Sequence, residues 1–130
     1  MTGTVWDASA VFAYLRREPG AEVLEARLKA EDYPWISAVN LAEIWSWLSE
    51  RGMPQSILAA VLEELALEVV AFNKAQAMTS GRLRTETHAL GLSLGDRACL
   101  ALAMERGAKV LTADRTWAPL DLGVSIECIR

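Results

Sequence analysis

Short apolar runs alternate along this chain with stretches whose apolar residues recur every three or four positions. The first pattern is that of strands buried on both faces, the second that of amphipathic helices. Read this way, 4–6 (TVW) is a short strand and 8–17 a helix closed by Pro19-Gly20. A helix over Ala21–Lys29 follows, then a strand at 34–37 (PWIS) that runs directly into a helix over 38–51. Gly52 and Pro54 punctuate before a helix over 55–66, and 67–72 reads as a third strand. A helix over 74–89 ends at Gly91; Ser93 starts another, over 96–106, which Gly107 closes. Lys109–Thr112 (KVLT) is a strand, and a loop with Trp117 and Pro119 leads to a last strand at 124–129. Strands alternating with helices predict βαβ units and a parallel sheet, hence a three-layer α/β/α domain of four or five strands. In such sheets ligands bind beyond the carboxyl ends of the strands.

Composition narrows the class. At 130 residues, 52% hydrophobic and 23% charged, the chain is expected to form one globular domain, 1–130, with a core that folds without staples. No run of about 18 apolar residues lacks a charge, which argues against a membrane span. The opening MTGTVWDASAVFAYLRR lacks a basic leader and meets Asp7 early, so a cytoplasmic protein is expected. Cys99 and Cys128 stand far apart without a CxxC or a second histidine, and read as buried free thiols, not zinc ligands. A net charge of −4 argues against coating nucleic acid through bulk positive charge. It leaves room for a local basic strip, for which Arg82, Arg84, Arg97 and Arg115 are candidates.

Only five of the 17 acidic residues are Asp, and three of these fall at sheet-to-helix junctions. Asp7 follows the first strand in VWDAS, Asp114 follows KVLTA, and Asp96 opens a helix in SLGDRACLALA. Glu43 lies in the first two turns of the helix that begins SAVNLAEIW. Each has a structural explanation. Asp7 and Asp114 suit N-caps, Asp96 sits three residues after Ser93 as in a capping box, and Glu43 lies opposite an apolar face. Together, though, they place four carboxylates at one sheet edge. Two carboxylates about 4 Å apart repel by about 4 kcal/mol at an effective dielectric near 20. Such a cluster must protonate or hold a cation. Oxygen-only ligands favour Mg2+ or Mn2+ over zinc. An ion of that kind suits phosphodiester hydrolysis, because it polarises a phosphoryl oxygen and lowers the pKa of a water.

The ordered segments VWDASA, SAVNLAEIW, GLSLGDRACLALA and VLTADRTWAPLD resemble the PIN-domain ribonucleases, and most closely the VapC toxins of bacterial toxin–antitoxin pairs. The likeness runs from about Val5 to the C-terminus. It implies a PIN-like α/β/α sandwich around a mostly parallel sheet. It also implies a metal-dependent endoribonuclease whose Mg2+ or Mn2+ is held by Asp7, Glu43, Asp96 and Asp114. Ser9, a hydroxyl two residues after the first Asp, and Thr112 would support the site. Trp6 departs from the smaller aliphatic residue usual there. The resemblance further implies a homodimer and a small cognate antitoxin. Its basic, partly disordered tail would cover the apolar faces of 8–15, 21–28 and 41–48. A second class stays open: a PIN-fold interaction domain without catalysis, acting by partner binding.

Other motifs lead elsewhere and fail on context. Gly91-Leu92-Ser93-Leu94-Gly95 matches the GxSxG elbow of serine hydrolases, but a helix precedes it and the only histidine, His88, comes before the serine. His88 reads as a surface or helix-end residue. No glycine-rich phosphate loop occurs, and Ser9 stands where a DxD phosphatase needs its second Asp. Of the five tryptophans, Trp45 and Trp47 cannot share a helix face, so one is expected in the core and the other at an interface.

Overall fold

The protein is described by a computed structural model over residues 3–30 and 33–130; the first two residues of the opening segment lie outside these. Five strands, β1 (Gly3–Trp6), β2 (Tyr33–Ser37), β3 (Glu68–Val70), β4 (Lys109–Thr112) and β5 (Ile126–Cys128), form one sheet in the order β3-β2-β1-β4-β5. Every pairing is parallel. Among the described residues the helices are α1 (Ala8–Leu15), α2 (Ala21–Lys29), α3 (Ala38–Glu50), α4 (Gln55–Leu65), α5 (Lys74–Thr87) and α6 (Leu94–Arg106). The expected α/β/α sandwich is therefore the fold, with the upper of the two expected strand numbers.

Period-two alternation sends neighbouring strand residues to two separate cores. Trp6, Ile36 and Leu111 pack with Val11, Leu24, Ile44 and Leu58 under α1–α4. Val5, Trp35 and Val110 pack with Leu83, Leu100 and Leu102 under α6, which α5 backs. This two-sided burial is why the strands read as unbroken apolar runs. Trp6 is fully buried and donates its indole N–H to Thr4 Oγ1 at 3.3 Å, so the large ring is accommodated beside Asp7 without an orphaned donor.

The element bounds differ from the sequence reading mainly at ends. Helix α1 stops at Leu15, not 17, because Arg17 adopts a left-handed conformation (φ 54°). Arg17 N–H then donates to Tyr14 O at 3.3 Å and Glu18 N–H to Ala13 O at 2.9 Å, a Schellman closure. Helix α5 gives way at Thr87 to a 3-10 turn over His88–Leu90. The edge strands β3 and β5 are three residues each, shorter than read, since each pairs on one side only.

Candidate active site

Strand order reverses at β1. The chain leaves it on one side for β2 and β3 and returns on its other side for β4 and β5. The crevice at such a switch point opens at the carboxyl ends of the two flanking strands. Here those ends carry Asp7, directly after β1, and the segment Thr112 to Asp114, at and after the end of β4.

Asp7 is buried and closely held. Its Oδ1 accepts from Ser9 Oγ at 2.7 Å and from the Ala10 amide at 2.9 Å, and its Oδ2 accepts from Thr112 Oγ1 at 2.7 Å. Ser9 Oγ in turn accepts from the Ala113 amide at 2.9 Å, and Thr112 Oγ1 from the Asp114 amide at 3.0 Å. The start of α1 and the end of β4, distant in sequence, thus converge on one carboxyl group through two hydroxyls. Burial pushes this carboxyl up from 3.8 to about 6, against the pull of Thr112, Ser9 and the Ala10 amide, and the charge of Asp96 adds to the rise.

Glu43 and Asp96 arrive on helices. The first turns of α3 and α6 meet at this edge, where Asn40 Nδ2 donates to Glu43 Oε1 at 3.0 Å and to Gly95 O at 3.1 Å. The Glu43 carboxylate rests on Gly95, occupying the space a Cβ there would fill. Asp96 completes a capping box: Asp96 N–H donates to Ser93 Oγ at 3.2 Å, and Ser93 N–H to Asp96 Oδ2 at 2.9 Å. Beneath them lies the buried Cys99 thiol. Burial raises its pKa, and the charges of Asp7, Asp96 and Glu43 raise it further. Asp114 stands at the same edge but turns its Oδ1 to Thr116, whose amide and hydroxyl donate at 2.9 and 2.7 Å.

Three of the four acids therefore do the structural work the sequence offered as alternatives: Asp7 caps α1, Asp96 caps α6, and Asp114 caps the 3-10 turn Arg115–Trp117. Among the described residues, no three His, Cys, Asp or Glu side chains are gathered closely enough to grip one ion. The donor chemistry nonetheless fits a hard divalent cation. The available atoms are carboxylate oxygens, Asp7 is destabilised as an isolated anion, and the buried Asn40 Oδ1 has no hydrogen-bond partner.

The remaining candidates separate. Ser9 and Thr112 both bond Asp7 directly. Arg97 is a correction: it is buried, with Nη1 donating to Ser80 O at 2.9 Å, and is not available to a nucleic acid. Its place on the inner face of α6 removes it from the surface. Arg82, Arg84 and Arg115 are exposed. Cys99 is buried as expected, whereas Cys128, on the edge strand β5, is only half-buried. Trp45 and Trp47 are both half-buried, so neither is a core residue; Trp47 is covered by the Arg16 and Arg51 guanidinium groups, 4.2 and 3.4 Å from its ring centre. His88 is exposed at a helix end, and the GxSxG segment is the lead-in and capping box of α6. Asn40, which bonds Glu43 and Gly95 O, joins the candidate site without having stood among the residues expected there. The signal was its place three residues before Glu43, within reach on one helix face.

The fold and this edge define the class: the chain belongs to the PIN-domain family, whose sequence profile matches residues 4–121. Over 112 residues it is 29% identical to VapC ribonuclease Mb2780c of Mycobacterium bovis, and equally to ribonuclease VapC42 of Mycobacterium tuberculosis. These alignments cover 81% of this chain and 86% of each relative. Among solved structures it superposes on DNA-bound VapBC from Salmonella typhimurium with a TM-score of 0.75 at 21% identity, over 100% of both chains. VapBC-1 from nontypeable Haemophilus influenzae gives 0.77 at 13% identity over 97% of each. Mycobacterium tuberculosis VapC20, a sarcin–ricin-loop-cleaving toxin, gives 0.66 at 18% identity over 89% of this chain and 93% of its own. At these identities the structural likeness establishes the fold.

Proposed function

We propose that this protein is an endoribonuclease toxin of a toxin–antitoxin pair, cutting RNA with the help of Mg2+ or Mn2+. The observation that carries the reading is Asp7. A carboxyl buried at the switch point, held by two hydroxyls and destabilised as an anion by that burial, is costly to maintain for folding alone. The relatives named VapC ribonuclease point the same way.

In this reading Asp7, Glu43, Asp96 and Asp114 hold the cation. When bound, it supplies charge stabilisation at the scissile phosphate and an acidified water for in-line attack. The chain's own part is positional. Ser9 and Thr112 fix both oxygens of Asp7, and burial keeps bulk water from competing for it. The capping box fixes Asp96 at the start of α6, beside Gly95, on which the Glu43 carboxylate rests. Exposed Arg82, Arg84 and Arg115 are the candidates for phosphate contacts along the RNA.

The partners follow from the same reading. A small antitoxin with a basic, partly disordered tail suits a chain of net charge −4. The half-buried Leu15 and Trp45, and an open groove on α3 lined by Leu41 and Trp45, are the apolar surface it would cover. We place the protein in the cytoplasm as a homodimer; no helix among the described residues is long and apolar enough to cross a membrane. A monomer by sedimentation at concentrations of tens of micromolar would count against the dimer.

The test is cleavage of total RNA with Mg2+ or Mn2+ beside an EDTA control. Metal-dependent cleavage lost in Asp7→Asn and Asp96→Asn supports the reading. Cleavage that persists in EDTA sinks the metal dependence. No cleavage of any cellular RNA, with antitoxin binding intact, would favour the non-catalytic interaction domain.

A further inference from the structure

We infer that Asn40 is a positioning residue, whose side-chain amide sets the Glu43 carboxylate on the bare backbone of Gly95 so that α3 and α6 deliver their acids together. This rests on the reading of the edge as a cation-dependent site. The amide group sits fully buried between two helices that are 55 residues apart in sequence. Its orientation is dictated: Nδ2 faces two acceptors, Glu43 Oε1 and Gly95 O, and a flipped amide would set oxygen against both. The chosen orientation leaves Oδ1 buried and without a partner. A buried acceptor without a donor is unfavourable, and folds keep such departures chiefly at functional sites. Gly95 is the second half of the device. A Cβ at that position would overlap the Glu43 carboxylate, so only glycine lets the acid settle against the start of α6.

Glu43 carries no other hydrogen bond from a described side chain. Without Asn40 it becomes a long acid on an exposed helix face, free to sample its rotamers. Groups that orient ligating carboxylates typically change cation affinity by roughly ten-fold or more when removed.

The experiment is a double-mutant cycle read by Mn2+ titration, with calorimetry or the Mn2+ paramagnetic resonance signal as the readout, on the full chain. Asn40→Ala and Gly95→Ala are each expected to weaken Mn2+ binding roughly ten-fold. Thermal stability in EDTA reports folding separately. If Asn40→Ala fails to fold, Gly95→Ala addresses the same contact from the other side. In the Glu43→Ala background, either substitution should have no further effect, because the carboxylate through which it acts is gone. Equal losses with and without Glu43 would overturn the positioning role while leaving the site's function standing. A wild-type chain that binds no Mn2+ would overturn both.

Discussion

Replacing Asp7 with asparagine should make the metal-free protein more stable at neutral pH, although it removes the residue at the centre of the candidate site. Raising a buried carboxyl from 3.8 to about 6 costs about 3 kcal/mol of folding free energy once the pH is above both values. Asparagine carries no charge to desolvate. Its Oδ1 still accepts from Ser9 and the Ala10 amide, so the cap on α1 survives. At the other position an amide donor replaces an acceptor, and the Thr112 hydroxyl must turn to receive it. That exchange costs about 1 kcal/mol, leaving a net gain of about 2 kcal/mol. The pH dependence follows from the direction of the shift. Between 3.8 and about 6 the folded chain binds more protons at Asp7 than the unfolded one, so wild-type stability falls as pH rises through that window. The Asp7→Asn variant should therefore be about 1 kcal/mol less stable than wild type below that window and about 2 kcal/mol more stable above pH 7. Urea unfolding of both proteins in EDTA across this range measures it. A variant less stable than wild type by about 1 kcal/mol or more at neutral pH, or a gap that ignores pH, would refute the reasoning and leave Asp7 as a structural cap.

Thr112→Val removes a hydrogen bond that pulls the Asp7 carboxyl down, so its pKa should rise beyond about 6. In EDTA, the pH window over which stability falls should then extend to higher pH; an unmoved window would show that Thr112 does not favour the Asp7 carboxylate. Ser93→Ala opens the capping box, and chemical denaturation should show a loss of about 1 kcal/mol. Saturating Mn2+ should raise the wild-type melting temperature, by the equivalent of about 3 kcal/mol at a hundred times Kd. The same titration should leave Asp96→Asn nearly unmoved, and an equal rise in that variant would place the ion elsewhere.

Much of this protein is legible along the chain because the physics that sets it is local. Apolar runs of three to five residues in β1, β2 and β4 report burial on both faces, and a sheet of that kind is parallel. Asp7, Asp96 and Asp114 could be placed at strand and helix ends because caps and junctions are short-range events. What sequence proximity cannot carry is the meeting of distant segments. Ser9 and Thr112 are 103 residues apart, yet both turn to Asp7, and Asn40 reaches Gly95 across 55. Strand order brings β4 beside β1, and only that placement makes one site of the two hydroxyls. The fate of Arg97 was likewise tertiary. Adjacent to Asp96 in sequence, it points inward because α6 is covered on one side by the sheet and on the other by α5, so a guanidinium that reads as a phosphate contact is spent on Ser80 O. Local patterning determined which elements form and where their acids stand; packing decided which of those groups touch, because contact energy is shared among residues the chain order keeps apart.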